Sequence, residues 1–168
     1  PRFLNCMYGF RPNRGCHNAI KELYKSLNNT KICYIVDADI KGFFDHMKHE
    51  WIIKFLHLYI KDPNIIGLVK KYLKVGVLDD GKLMLNEEGS AQGNIISPIL
   101  ANIYMHNVLT LWYKFIITKE CKGDNFLIVY ADDFVAGFQY KWEAENYYKL
   151  LKERMEKFGL QLENSKSR

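Results

Sequence analysis

The sequence predicts an α+β fold in which helices cover one face of a small antiparallel sheet. Three observations predict it: helical and strand-like segments alternate, two apolar strands are joined by a very short link, and the helical segments are amphipathic or strongly apolar. No internal repeat and no linker-like stretch interrupts the 168 residues. We therefore expect one continuous domain.

Five segments have the apolar spacing of helices. They are residues 16–27, 49–60, 63–75, 98–117 and 140–158. The third begins with Asp62 as N-cap and Pro63 at the first helical position, and the last ends at Gly159. The fourth is apolar on most sides and is expected to be central. The first carries Ile20, Leu23, Tyr24 and Leu27 on one helical face.

The strand predictions rest on apolar and β-branched runs bounded by turn residues. Residues 32–40 form a buried strand that ends in Asp37-Ala38-Asp39, and residues 126–130 and 134–138 form a tight hairpin. Asp79-Asp80-Gly81 marks a second, shorter hairpin. A further strand or loop is expected from residue 160 onward.

Composition excludes several classes of protein. The longest apolar run, residues 126–131, is far shorter than the roughly 20 residues that span a bilayer, so no membrane segment is expected. The cysteines and histidines lack zinc-site spacing. No basic segment followed by an apolar segment opens the chain, and Cys33 within an apolar strand-like run fits a reducing cytoplasm.

The net charge of +5 is concentrated at the N-terminus. Residues 1–31 hold six cationic side chains and one acidic side chain, whereas the other residues hold 18 of each sign. Such a patch attracts polyanions such as nucleic acid or a triphosphate, although a solvated basic helix face has the same pattern.

Three carboxylates lie where predicted strands end: Asp39, Asp132 and Asp133. Asp is a common turn residue, so a solvated turn is one interpretation of the Asp132-Asp133 pair. The other is a metal site, because a divalent cation relieves the repulsion between clustered carboxylates. If the two strand ends are adjacent, two Mg²⁺ ions about 3.5–4 Å apart could bind there and support in-line phosphoryl transfer.

Four sequence blocks carry a resemblance to a known family. They are residues 8–15 (YGFRPNRG), 37–45 (DADIKGFFD), 91–104 (AQGNIISPILANIY) and 130–133 (YADD). In this order and spacing they closely resemble reverse transcriptases of the group II intron type, and residues 158–168 resemble the block that follows. The resemblance covers nearly the whole chain.

The resemblance implies a right-hand polymerase palm over residues 31–168, with partial fingers over residues 1–30 and no thumb. It implies an RNA-directed DNA polymerase that transfers dNTPs to a DNA primer on an RNA template. Asp39 and Asp132 would ligate two Mg²⁺ ions, for which Mn²⁺ is a possible substitute. Asp133 would complete the acidic triad, and Ile40 would offer its backbone carbonyl.

The resemblance also implies roles in nucleotide and template binding. Phe44 would exclude the ribose 2′-hydroxyl, with ordinary core packing as the alternative. Gln92 and Gly93 would contact the incoming nucleotide, and Lys166 would lie near the pyrophosphate as a general acid. Arg11 and Arg14 would contact template phosphates, with a structural ion pair as the alternative.

The loop at residues 90–93 departs from the family pattern, since Ser90-Ala91-Gln92-Gly93 replaces the usual Thr-Pro-Gln-Gly. The loop therefore loses the constraint of a proline. A second functional hypothesis is an RNA-binding maturase module that helps an intron fold and splice without polymerase activity. The three intact acids favour catalysis. The sequence alone does not define the oligomeric state.

Overall fold

The structure is a computed structural model that describes residues 3–74, 77–79, 82–84 and 95–163. The helices are α1 (Cys16–Asn29), α2 (Phe43–His46), α3 (His49–His57), α4 (Pro63–Lys74), α5 (Ser97–Met105), α6 (Thr118–Glu120) and α7 (Lys141–Lys157). The strands are β1 (Tyr34–Ala38), β2 (Val77–Asp79), β3 (Lys82–Met84), β4 (Asn125–Tyr130) and β5 (Asp133–Phe138). This order confirms the predicted α+β class.

The main sheet has three antiparallel strands in the order β1-β5-β4. In the β1–β5 pair Tyr34 faces Phe138 and Ala38 faces Phe134; in the β4–β5 hairpin Tyr130 faces Asp133. The second predicted hairpin is also present, as β2 and β3. Because β5 is central, the C-terminal end of β1 and the turn of the hairpin lie at the same end of the sheet.

One face of the main sheet packs on the core. Alternate residues point there, including Val36 and Ala38 from β1 and Phe134, Ala136 and Phe138 from β5. Helix α7 covers this face by contacts with β1 and β5, and it buries Tyr147, Leu151 and Met155 at helical spacing. Helix α1 instead contacts β4 from the opposite face, where Ala19 packs with Ile128.

The predicted central helix is confirmed, but its interior is not purely α-helical. Residues 97–120 continue without a break from α5 to α6 through two π-helical turns, at His106–Thr110 and Tyr113–Ile117. The Thr110 and Thr118 hydroxyls donate to the carbonyls of His106 and Tyr113 in these turns. Side-chain competition of this kind accompanies local widening of a helix.

Two helix boundaries form as the local signals predict. The Asp62 carboxylate accepts a hydrogen bond of 2.8 Å from the Asn64 N–H at the start of α4. Beyond the end of α7, Gly159 adopts a left-handed conformation with φ +79°. Leu162 then forms an isolated antiparallel bridge with Ile40, so the chain after residue 160 returns to the sheet.

The apolar face of α1 is only partly buried. Ile20, Tyr24 and Leu27 are 58%, 71% and 44% exposed. The helix lies on β4 through Ala19 and the half-buried Leu23, a pair spaced four residues apart that faces Tyr8 and Ile128. The small Ala19 side chain allows close approach to the strand, and the larger apolar residues are left on the flank of the helix.

Among the described residues, no helix is long and apolar enough to cross a membrane.

Candidate active site

The strand register brings the predicted acids to one end of the sheet. Ala38 faces Phe134, and continuing this pairing by one residue places Asp39 across from Asp133. The Tyr130–Asp133 pair closes the hairpin around a two-residue turn, Ala131-Asp132. The end of β1 and the hairpin turn, 93 residues apart in sequence, are therefore neighbours in space.

The acids lie on the sheet face that points away from the core. Because side chains alternate along a strand, the buried Ala38 and Phe134 leave Asp37, Asp39 and Asp133 on the opposite face. Asp39 and Asp133 are exposed, whereas Asp132 in the turn is half-buried. Asp37 was not among the predicted site residues, although its spacing of two from Asp39 places both on one face.

The electrostatics of this edge show the acids to be close to one another. Burial raises the pKa of the Asp133 carboxyl, and the negative charges of Asp132, Asp39 and Asp37 raise it further, in decreasing order of effect. Within residues 3–74 and 95–163, no cation forms an ion pair with any of these four acids. Among these residues, negative charge therefore accumulates at this end of the sheet without an ion-pair partner.

The donor set fits a hard divalent cation in its chemistry. Such ions prefer carboxylate and carbonyl oxygens, and they relieve the repulsion that raises the pKa of Asp133. In the described part of the chain, however, no three His, Cys, Asp or Glu side chains are gathered into a group able to hold a metal ion. The structure thus provides adjacent acids but not a closed ligand cage.

The backbone of Ile40 also faces the acidic edge, which is the end of the main sheet that carries Asp37, Asp39, Asp132 and Asp133. The Asp39 carbonyl accepts a hydrogen bond of 2.8 Å from the Glu163 N–H, and the Lys41 N–H donates to the Gln161 carbonyl. Successive carbonyls of an extended chain point to opposite sides, so the Ile40 carbonyl points away from residues 161–163 and toward the β5 side. Its predicted role as a metal ligand is compatible with this direction.

Phe44 lies on the short helix that follows the acidic end of β1. Gly42, with φ +53°, turns the chain into α2. Phe44 is half-buried and packs edge-on against the buried Phe43, with ring centroids 5.3 Å apart, while Phe43 packs against Tyr104. One part of the Phe44 ring is thus fixed by the core and another part is accessible.

Arg11 and Arg14 are held by the loop that precedes α1. The Arg11 guanidinium donates to the carbonyls of Leu4 and Met7, at 2.8 and 2.9 Å, and Arg14 donates to the carbonyl and the side-chain oxygen of Asn5. Neither forms an ion pair with a described residue. The guanidinium groups that are predicted to contact template phosphates therefore already form hydrogen bonds within the loop.

Arg14 also lines a groove of about 870 Å³ between the loop, α1 and β4. Lys21 and Lys25 line the same groove, together with several asparagines. The N-terminal excess of positive charge is therefore partly gathered on one surface. Three other predicted site residues, Gln92, Gly93 and Lys166, lie outside the described residues.

Comparison with known proteins gives a consistent family. A model of the family described as "Reverse transcriptase (RNA-dependent DNA polymerase)" matches residues 2–168. The chain is 37% identical over 124 residues to "Group II intron-encoded protein LtrA" of Lactococcus lactis subsp. cremoris, a match that covers 74% of the chain and 20% of that protein. It is 39% identical over 109 residues to an "Uncharacterized 91 kDa protein in cob intron" of Schizosaccharomyces pombe, covering 64% and 13%.

A solved structure supports the fold. Telomerase from Candida albicans, in complex with a fragment of telomeric RNA, superimposes with a TM-score of 0.72 at 15% identity, covering 92% of this chain and 30% of that one. The chain spans a fifth or less of the length of these two curated relatives. The α+β arrangement, with its antiparallel sheet backed by helices, is accordingly that of a polymerase palm fragment.

Proposed function

Because the chain belongs to the reverse transcriptase (RNA-dependent DNA polymerase) family and is of the group II intron type, we propose that it is the palm and partial fingers of an RNA-directed DNA polymerase. The reaction is nucleotidyl transfer from a dNTP to the 3′-hydroxyl of a DNA primer paired with an RNA template. The observation that carries the proposal is the register that sets Asp39 beside Asp132 and Asp133.

In this proposal the acidic edge binds the reacting groups of primer and dNTP. Asp39, Asp132 and the Ile40 carbonyl would hold two Mg²⁺ ions, and Asp133 would support them from the same edge. When bound there, these ions would supply activation of the attacking hydroxyl and stabilisation of the leaving pyrophosphate. Gln92 and Gly93 contact the incoming nucleotide, and Lys166 donates a proton to the leaving group.

Arg11, Arg14 and the basic groove beside α1 bind the template strand. The carbonyl contacts of the two arginines fix their guanidinium planes, which favours recognition of phosphate oxygens. Residues 1–30 act as partial fingers and residues 31–168 as palm. Intron RNA is a further possible ligand of the basic surface, since phosphate contacts do not depend on sequence.

The first test is Mg²⁺-dependent dNTP incorporation by the full-length protein on an RNA template with a DNA primer. We expect Asp132→Asn to abolish incorporation with little effect on folding, because it removes one of several mutually repelling carboxylates. Asp62→Asn is the matched control, since asparagine caps α4 as well as aspartate does and the position is remote from the acids. An Asp132→Asn variant with full activity would remove this residue from the site.

Phe44 is expected to set the preference for deoxyribonucleotides. Phe44→Ala removes the ring that is fixed against Phe43, and we expect the discrimination against ribonucleotides to fall about tenfold or more. The measurement is the ratio of kcat/KM for dNTP and rNTP. Phe115→Ala, which truncates a half-exposed ring on the central helix, should leave that ratio unchanged; an unchanged ratio in Phe44→Ala would contradict the assignment.

The second candidate function is an RNA-binding maturase module. The observation that favours it is the basic N-terminal surface, which binds RNA without using the acids. If wild-type protein and Asp132→Asn both bind intron RNA and neither incorporates dNTPs, the maturase function is the correct one.

A further inference from the structure

The loop that precedes α1 forms an additional layer on the catalytic hairpin. Met7 bridges Val129 in parallel: the Tyr8 N–H donates to the Val129 carbonyl and the Val129 N–H donates to the Cys6 carbonyl, both at 2.8 Å. These bonds satisfy the outer edge of β4 just before the hairpin turn. The loop therefore reaches the turn that carries Asp132 from the side opposite to β5.

Gly9 then lies directly against the hairpin turn. A Cβ atom at this position would be 2.4 Å from the Ala131 nitrogen and 3.1 Å from the Tyr130 carbonyl carbon. Glycine is needed here for close approach of two backbones. The contact fixes the Tyr130–Ala131 peptide, one residue before Asp132.

The amino-acid sequence of the turn does not favour the backbone conformation that the turn adopts. Ala131 has φ +59° in a two-residue loop whose first position prefers glycine. A left-handed alanine costs roughly 1–2 kcal/mol, so other contacts must hold it. Ala131 is buried beneath the surrounding chain, and the Gly9 backbone is one of its neighbours.

Asn102 on α5 fixes Gly9 from the core. Its side-chain amide donates a hydrogen bond of 2.9 Å to the Gly9 carbonyl, and the residue is 1% exposed. The Asn102 Oδ1 atom is buried and has no hydrogen-bond partner among the described residues. An unpaired buried acceptor costs about 1–3 kcal/mol. Asn102 therefore satisfies the Gly9 carbonyl while leaving its own oxygen unpaired, so its net contribution to stability is small.

We propose that Asn102 is a positioning residue that holds the Asp132 turn in its catalytic geometry through the Gly9 backbone. The chain of contacts runs from the Asn102 amide to the Gly9 carbonyl, and from Gly9 to the Tyr130–Ala131 peptide. The proposal rests on the polymerase function proposed above. It explains why a polar side chain with an unpaired oxygen occupies an otherwise apolar stretch of the central helix.

Asn102→Leu tests the proposal, because it removes the donor together with the unpaired Oδ1 atom and leaves the Gly9 carbonyl without this partner. We expect a melting temperature within a few degrees of wild type, unchanged affinity for the primer–template duplex, and a kcat for single-nucleotide addition about 10- to 100-fold lower. Asn107→Leu is the matched control. Asn107 is also buried on the central helix, but it bonds Ile103 and Tyr59 rather than the loop.

A kcat for Asn102→Leu equal to that of Asn107→Leu would overturn the proposal and leave the polymerase function standing. An inactive wild-type protein would instead contradict the polymerase function. Deuterium exchange then still tests the positioning: residues 126–134 should exchange faster in Asn102→Leu than in Asn107→Leu or wild type. Equal exchange in all three proteins would show that Asn102 does not hold the turn.

Discussion

At the scale of single residues, His106 shows how the central helix fixes a protonation state. Burial lowers the pKa of its imidazole to about 4, and Nδ1 lies 2.9 Å from the Thr110 hydroxyl. In the unfolded chain this imidazole takes up a proton near pH 6.5. The contribution of His106 to the free energy of unfolding should therefore be fully present above pH 6.5 and fall by up to about 1.4 kcal/mol per pH unit down to pH 4. Urea unfolding at pH 5 and pH 7.5 should show a smaller difference for His106→Gln than for wild type. His57→Gln, at an exposed position on α3, should keep the wild-type difference.

At the scale of elements, replacement of glycine by alanine should have opposite effects on stability at two positions, one inside α4 and one just beyond α7. Gly67 lies inside α4 with nothing within 4 Å of an added Cβ, so Gly67→Ala should raise the free energy of unfolding by about 0.5–1 kcal/mol. Gly159 lies just beyond α7 with φ +79°, and an added Cβ would lie 2.4 Å from the Lys48 side chain. Gly159→Ala should therefore lower the free energy of unfolding. Thermal melts of both variants check the pair. A destabilised Gly67→Ala would indicate a contact at α4 that the structure does not contain.

At the scale of the whole molecule, a chain with a net charge of +5 has an acidic end of the main sheet at which no described cation pairs with Asp37, Asp39, Asp132 or Asp133. The pKa of Asp133 is raised in the folded state, so ionisation of this group disfavours folding, and the cost disappears below the unfolded pKa near 3.8. In EDTA, Asp133→Asn should therefore melt at a higher temperature than wild type at pH 7.5, with the difference shrinking toward pH 4. The polymerase proposal adds that Mg²⁺ raises the melting temperature of wild type more than that of Asp133→Asn. Equal melting at pH 7.5 would mean that the carboxylates do not repel one another.

The features of the fold that were predicted correctly from the sequence depend on local signals. The Asp62 cap, the Gly159 end of α7 and the 131–132 turn each depend on a few adjacent residues, and each forms in the structure. The face of α1 could not be predicted, because burial depends on where the helix docks, and Ala19 docks more closely than Ile20 or Tyr24. The Asn102–Gly9 bond joins residues 93 positions apart and has no local signal. The adjacency of Asp39 and Asp132 was expected from family resemblance, and the strand register supplies its physical basis.

The strand order also has a consequence for biosynthesis. Strand β1 leaves the ribosome long before β5, its partner in the main sheet, and the bridge between Met7 and Val129 spans a still longer stretch of sequence. At ribosomal rates the delay is about 5–20 seconds. During it, the nascent β1 has an open edge, which exposes the chain to association with chaperones or with other nascent chains. The acidic edge is therefore assembled only after the hairpin has emerged from the ribosome and paired with β1.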